Sequence, residues 1–209
     1  MGSPVRRRFR NPDYKRLPDA RFRDGGQKAA PAALLGSDTV ADRASFVLSL
    51  AGGALAASAG ASALILAGRG PLAAFPVAAA GACLIPAGRW ARGSRAPRLV
   101  LADSVAERTV DAILLGSVAW AHLPEQPRVA VAALVALVAG YLASYLRARA
   151  VGLGFHLQES VVDRSVHLGA LALGLATGYL EVALWAAAAW SLAAVAHRAV
   201  EVARQKEPA

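Results

Sequence analysis

The stretch ASFVLSLAGGALAASAGASALILA, residues 44–67, carries no charged side chain. A helix that crosses a bilayer needs about 20 predominantly apolar residues, because the hydrocarbon core is about 30 Å thick. This stretch meets that length, and further apolar blocks follow it along the chain. They are residues 72–88, 110–123, 129–146, 165–180 and 182–197. We therefore predict an all-α fold, an integral membrane bundle of about six transmembrane helices.

The positive charge of the chain follows the order of these blocks. The net charge is +9, and most Lys and Arg residues lie before the first block, in alternate connections, and after the last block. A nucleic-acid-binding domain would instead gather its basic residues on one folded face. Cytoplasmic loops of membrane proteins are enriched in Lys and Arg. The distribution predicts that both termini are cytoplasmic and that the protein binds no nucleic acid.

Composition divides the chain into three parts. Residues 1–36 are rich in Arg, Pro, Asp and Gly and lack apolar periodicity, which predicts a basic, mostly disordered cytoplasmic tail. That tail either lies on anionic lipid headgroups or serves only as a topology signal. Residues 37–205 form the membrane domain, and residues 206–209 are a short tail. Cys83 lies within an apolar block, so we expect it to pack in the core.

A short pattern of an acid, a hydroxyl, two apolar residues, an acid and an arginine occurs three times. The copies are Asp38–Arg43, Asp103–Arg108 and Glu159–Arg164. In this context a Ser or Thr side chain commonly caps the first turn of a helix, so we predict that Ser104 and Ser160 are caps. The copies also fit three helical hairpins that enter from the cytoplasm and turn outside. The expected outer turns are Gly68–Pro71, Pro124–Pro127 and Thr177–Glu181.

Three acids, Asp103, Glu107 and Asp111, are spaced four residues apart. On a helix this spacing places them on one face. Acids that face lipid are costly, so we expect this face to line the bundle interior or cytoplasmic water. Clustered carboxylates suit a hard cation such as Mg²⁺. The alternative is a solvated helix end whose acids pair with Arg108 and Arg92.

The run LADSVAERTVDAILLG, residues 101–116, resembles the second half of the CDP-alcohol phosphatidyltransferase signature. That signature is D-x-x-D-G-x-x-A-R, then a spacer and G-x-x-x-D-x-x-x-D. Residues 144–154 and 181–205 resemble segments of the phosphatidylinositol-phosphate and phosphatidylglycerol-phosphate synthase branch. The resemblance spans residues 37–205. It implies a six-helix membrane fold and a role in phospholipid biosynthesis at the cytoplasmic membrane. The high content of Ala, Gly and Arg suggests that this membrane is bacterial.

The resemblance also implies metal chemistry. In the family, four aspartates hold two metal ions, Mg²⁺ or Mn²⁺, which bind the diphosphate of CDP-diacylglycerol, and the last aspartate is the base. Here Asp103 matches the third aspartate and Glu107 replaces the fourth. Together with the helical spacing, this makes Asp103, Glu107 and Asp111 the predicted metal ligands and Glu107 the predicted catalytic base.

The first half of the signature departs from the family pattern. Leu84 and Ala87 stand where the first two aspartates belong, and Leu99 replaces the second glycine. Loss of two of four anionic ligands should abolish a two-metal site. We therefore expect a degenerate homologue that lacks catalysis. An active phosphatidyltransferase is the alternative.

Several basic residues remain near the signature. Guanidinium groups bind phosphate through paired hydrogen bonds, although positive charge at these positions can also reflect topology alone. The four histidines share no spacing, so we expect no histidine metal site. The predicted substrate-binding residues are Gly88, Arg92, Arg108, Arg147 and Arg149.

Two classes of partner follow from the resemblance. The first is membrane lipid, with CDP-diacylglycerol as the implied ligand. The second is protein, because family members form dimers, and the chain is expected to form a homodimer or to pair with an intact paralogue. A third hypothesis, unrelated to this family, is that the protein is a small scaffold or transporter whose intramembrane acids line an ion path.

Overall fold

The computed structural model describes residues 40–93, 96–157 and 161–205. These residues form six helices, and no strand occurs among them, which confirms the predicted all-α fold. The helices are α1 (Val40–Leu66), α2 (Gly70–Gly93), α3 (Pro97–His122), α4 (Pro127–Gly152), α5 (Val161–Thr177) and α6 (Leu180–Arg204). The predictions for residues 1–36, for residues 206–209 and for Ser160 lie outside the described residues.

Within the described residues, four helices are long and apolar enough to cross a membrane. They are Ala44–Leu66 within α1, and all of α2, α4 and α6. The described part of α5 contributes a shorter apolar helix, Val166–Thr177. α3 has the necessary length, but its first half carries charged side chains that lower its apolar content. The chain is a multi-pass membrane protein, and the cytoplasmic position of its termini stays a prediction.

The six helices pack as a closed ring. α1 lies between α2 and α3, α2 contacts α5, α5 contacts α6, α6 contacts α4, and α4 returns to α3. α2 also contacts α3 directly. As a result, α3, α4, α5 and α6 surround one part of the bundle although α3 and α6 are distant in sequence.

Alanine provides much of the contact surface between these helices. Ala54 and Ala61 on α1, and Ala73 and Ala80 on α2, are fully buried. Within lipid no hydrophobic drive brings helices together, so small residues help because they allow backbones to approach closely. The gaps that remain are filled by four fully buried leucines, one each from α2, α3, α5 and α6. These are Leu84, Leu114, Leu171 and Leu184.

The turns predicted at one end of the bundle are confirmed as connections between helices. Gly68, which follows α1, has a φ of +71°, and Gly178, between α5 and α6, has a φ of +79°. Glycine adopts this left-handed conformation without the Cβ strain of other residues. At the opposite end, the Gln205 side chain pairs with the backbone of His156: its Nε2 donates to His156 O at 2.6 Å, and His156 N donates to its Oε1 at 3.0 Å.

The start of α3 differs from the prediction. The helix begins at Pro97, well before the apolar block, and its N-cap residue Ala96 makes no side-chain capping bond. Proline suits the first turn because its φ is already helical and it lacks the amide hydrogen that would stay unbonded there. Ser104 therefore lies inside the helix, where its Oγ donates to Val100 O at 2.9 Å. The prediction that Ser104 is a cap was wrong.

Candidate functional site

The three acids of α3 all face the interior of the bundle. Asp103, Glu107 and Asp111 are 2%, 8% and 5% exposed. Their fourfold spacing places them on the face of α3 that also buries Val110 and Leu114. The predicted orientation of this face is confirmed. The alternative predicted a solvated helix end, which does not describe side chains this deeply buried, but its predicted pairing with Arg108 is observed for Glu107 and Asp111.

Arg108 binds two of these acids. Its Nη1 lies 3.1 Å from Asp111 Oδ2, and its Nη2 lies 3.5 Å from Glu107 Oε1. The guanidinium carbon lies 5.7 Å from the centre of the Tyr141 ring. The Tyr141 hydroxyl also donates to the Arg108 carbonyl oxygen at 2.8 Å. A single residue of α4 thus holds both the side chain and the backbone of Arg108.

A cavity of about 80 Å³ lies beside Glu107 and Arg108, between α3, α4, α5 and α6. Three guanidinium groups and one carboxylate contribute to its wall, so the wall carries net positive charge. The cavity suits a small anion better than a neutral ligand. The lining residues are Glu107, Arg108, Gly140, Ala143, Ser144, Arg147, His167, Trp190, Ser191, Ala194 and Arg198.

Arg198 is a cavity residue that sequence analysis missed. It was grouped with the positive charge after the last apolar block, whereas α6 continues to Arg204 and carries Arg198 inside the bundle. The side chain is 8% exposed, and its Nη1 donates to Ala143 O of α4 at 2.8 Å. The signal that could have found it is the helical pattern of α6, which extends beyond residue 197 and so includes Arg198.

His167 and Ser191 form a second feature that the sequence did not reveal. His167 Nε2 lies 2.6 Å from Ser191 Oγ, and both residues are buried. Ser191 Oγ also donates its hydrogen to Ala187 O at 3.0 Å, so we assign the hydrogen between the two side chains to Nε2 of the imidazole. A Cβ at Gly140 would lie 2.6 Å from His167 Cε1. The absence of a side chain at Gly140 therefore leaves room for the ring.

The structure brings together only some of the predicted substrate-binding residues. Arg147 lines the cavity with Arg108, whereas Arg149 is exposed and does not line it. Two residues along a helix place side chains on nearly opposite faces. Gly88 is buried within α2, and Arg92 is half-buried in the last turn of the same helix.

The two positions of α2 that the sequence resemblance aligns with family aspartates are both buried. Leu84 is 1% exposed and Ala87 is 0% exposed. Leu84 packs in one apolar cluster with Val110 and Leu114 of α3. Both positions of α2 therefore hold buried hydrocarbon side chains.

The acids of α3 do not close around one ion. Among the side chains that the structure describes, no three His, Cys, Asp or Glu residues form a group that could hold a metal. Asp103 and Asp111 lie two helical turns apart, about 12 Å along the axis, while Mg²⁺ needs oxygens at about 2.1 Å. A single ion could reach only a neighbouring pair, with water or phosphate completing its shell. Metal binding by Asp103, Glu107 and Asp111 stays a prediction.

Comparison with known proteins supports the resemblance seen in the sequence. No family model matches the chain. The chain is 36% identical over 107 residues to the phosphatidylinositol phosphate synthase of Corynebacterium glutamicum, a region that covers 47% of this chain and 49% of that protein. The match thus spans about half the length of each. Over that half, the chain is similar to a CDP-alcohol phosphatidyltransferase, as its sequence motifs predicted.

Proposed function

We propose that this protein is a CDP-alcohol phosphatidyltransferase-like membrane protein of phospholipid biosynthesis that no longer transfers a phosphatidyl group. In this proposal it retains the ability to bind a phosphate-bearing lipid precursor in a bacterial cytoplasmic membrane. The observation that carries the proposal is the complete burial of Leu84 and Ala87 in the apolar interior.

The loss of catalysis follows from electrostatics. The family resemblance implies four carboxylates that hold two cations against the diphosphate of the donor lipid. A transferring phosphoryl group is stabilised mainly by such preorganised positive charge. Here α2 supplies Leu84 and Ala87 in place of two carboxylates, and Arg108 already forms ion pairs with Glu107 and Asp111. The remaining acids are too few for the family's metal arrangement.

The retained binding function rests on the cavity. Arg108, Arg147 and Arg198 contribute to its wall, and each guanidinium can donate two parallel hydrogen bonds to a phosphate. Such bonds are stronger at a buried site than in water, because fewer solvent dipoles screen the charges. The proposed ligand is the phosphate-bearing end of a membrane lipid such as CDP-diacylglycerol or of its polar acceptor.

A chain that binds without catalysing needs a partner that completes the reaction. We propose that this partner is an intact paralogue and that the two chains form a heterodimer, with a homodimer as the alternative. The support is the family resemblance, which implies dimers, together with the missing carboxylates of α2. Co-purification of an untagged intact paralogue with the tagged chain, followed by native mass measurement, tests this part of the proposal.

A direct experiment is an assay of CMP release from CDP-diacylglycerol by the purified full-length protein. It includes Mg²⁺ or Mn²⁺, a panel of polar alcohols, and the Corynebacterium glutamicum synthase as the active control. We expect no CMP release while CDP-diacylglycerol still binds. Metal-dependent release that is lost in Asp103→Asn would overturn the proposal.

The second candidate function is an active transferase, and one observation favours it. Asp103 and Glu107 are retained and buried, and Glu107 lines the cavity. In this version Asp103 and Glu107 hold one Mg²⁺ or Mn²⁺, which would neutralise the donor diphosphate when bound. Glu107 would accept the proton of the attacking hydroxyl. The same CMP assay separates the two candidates.

A further inference from the structure

Four exposed arginines lie at the end of the bundle opposite the Gly68 and Gly178 turns. They come from the end of α2, the start of α3, and the ends of α4 and α6. Because α2 contacts α3 and α4 contacts α6, they belong to two pairs of neighbouring helices. We call these residues the arginine collar, which consists of Arg89, Arg98, Arg149 and Arg204.

Each collar arginine continues a lipid-facing surface of its helix. An exposed apolar or aromatic residue lies three or four positions away, toward the middle of the helix, and residues at this spacing share a helix face. In a membrane bundle such exposed residues face lipid chains, so each collar arginine lies about one helical turn beyond a lipid-facing side chain. The pairs are Ile85 with Arg89, Leu101 with Arg98, Tyr145 with Arg149, and Val200 with Arg204.

The collar lies at the depth expected of lipid headgroups. Trp120, near the other end of α3, is 77% exposed, and exposed aromatic side chains are enriched at the boundary between lipid and water. By the rise of an α-helix, Arg98 lies about 33 Å from Trp120 along the axis of α3. The hydrocarbon core is about 30 Å thick. With Trp120 at one boundary, Arg98 is therefore among the headgroups of the opposite leaflet.

The collar also differs from the other end of the bundle in its charge balance. At that other end, Arg69 and Arg128 are accompanied by Glu125 and Glu181, so positive and negative charges cancel. At the collar end, Asp42 is the one exposed acid among the described side chains. None of the four collar arginines forms an ion pair with a described acid. The collar therefore presents net positive charge to the lipid.

We infer that the arginine collar binds the phosphate groups of anionic phospholipids in the adjoining leaflet. A guanidinium can donate two parallel hydrogen bonds to a phosphate, and positive side chains near the membrane surface attract anionic lipid. Phosphatidylcholine also carries a phosphate, but its ammonium group cancels the charge. The collar should therefore prefer a lipid such as phosphatidylglycerol over phosphatidylcholine.

The collar is separate from the cavity of the proposed function. Arg147 lines the cavity, whereas Arg149 is exposed and lies on a nearly opposite face of α4. None of the cavity-lining residues that the structure describes belongs to the collar. Lipid binding by the collar therefore does not depend on whether the cavity binds CDP-diacylglycerol.

Lipid retention by the full-length protein in a neutral detergent tests the inference. The protein is incubated with phosphatidylglycerol, phosphatidylcholine or inorganic phosphate. The lipids that stay bound are counted by native mass measurement, and the melting temperature is recorded. The collar variant is Arg149→Gln with Arg204→Gln. Its matched control is Arg69→Gln with Arg128→Gln, which removes the same charge from exposed positions at the other end of the bundle. Arg147→Gln tests the cavity as an alternative lipid site.

We expect the wild type, the matched control and Arg147→Gln to retain equal numbers of phosphatidylglycerol molecules, to retain less phosphatidylcholine, and to melt higher with phosphatidylglycerol. The collar variant should lose about half of the retained phosphatidylglycerol and of the gain in melting temperature, because it removes two of the four collar charges. Any gain from inorganic phosphate should be the same in the wild type and the collar variant, since that anion would bind in the cavity.

Equal retention of phosphatidylglycerol by the collar variant and its matched control would overturn the inference, because lipid would then respond only to the net charge of the protein. Equal retention of the two lipids by the wild type, or a loss of phosphatidylglycerol in Arg147→Gln alone, would overturn it as well. Arg149→Lys with Arg204→Lys keeps the collar charge and should retain as much phosphatidylglycerol as the wild type. A loss as large as that of the collar variant would contradict a role for the charge.

Discussion

His167 Nε2 donates a hydrogen bond of 2.6 Å to Ser191 Oγ, and this bond joins α5 to α6 at the wall of the cavity. Both side chains are more than nine-tenths buried. A buried donor that loses its acceptor is costly, because water cannot replace the missing bond. The wall of the cavity is consequently sensitive to changes at either residue.

Ser191→Ala should lower stability by about 1–3 kcal/mol, because it leaves the imidazole N–H buried without an acceptor. Ser58→Ala is the matched control, since Ser58 is also buried but its Oγ donates to Leu55 O within the same helix. Thermal unfolding in nanodiscs measures both variants. Equal melting temperatures for the two variants would show that the bond to His167 contributes nothing.

Gly140→Ala should destabilise the protein by about 1–3 kcal/mol, as overpacking of a filled interior does. The new Cβ would lie 2.6 Å from His167 Cε1, so the ring or the helix must move. Gly60→Ala is the control, because nothing lies within 4 Å of a Cβ added there. If Gly140→Ala were as stable as Gly60→Ala, the contact between α4 and the His167 ring would not be close in solution.

Arg147→Gln should weaken binding of a phosphate-bearing ligand by roughly 10- to 100-fold, the effect of losing a charge-assisted hydrogen bond of about 1.5–3 kcal/mol. Arg149→Gln should leave that affinity nearly unchanged, since Arg149 is exposed and outside the cavity. Calorimetry with inorganic phosphate and with CDP-diacylglycerol in nanodiscs measures both variants. Equal losses would mean that the effect comes from net charge at this end of the bundle and not from the cavity.

Leu84→Ala should cost about 2–5 kcal/mol, because it opens a void in the apolar cluster at the position of a family aspartate. Leu72→Ala, at a position that is 54% exposed, is the control and should cost far less. The two melting temperatures give the comparison. A small effect at Leu84 would show that this part of the interior is loosely packed and could accept a polar group.

The features that the sequence predicted correctly are patterns of residues within a single helix. The apolar blocks define the six helices, and the fourfold spacing of Asp103, Glu107 and Asp111 defines their shared face. Both patterns depend only on the rise and rotation of an α-helix and on the cost of placing charge in lipid. Neither requires knowledge of which helices are neighbours.

The missed features depend on contacts between helices. His167, Ser191 and Gly140 come from three different helices, and their meeting point follows from the order of helices around the ring. Arg198 was missed for a related reason, since charge near a helix end looks the same whether it faces water or a neighbouring helix. The start of α3 was misjudged because its first turns are polar and give no apolar pattern.

The two hydrogen bonds between the Gln205 side chain and the His156 backbone can form only after α6 has been synthesised. α6 packs between α4 and α5, and His156, in the segment after α4, binds the residue that ends α6. During synthesis α4 and α5 emerge before the helix that separates them. The wall of the cavity, which includes Ser191 and Arg198, can therefore close only after the last helix has been inserted, and a chain truncated before α6 leaves the ring open.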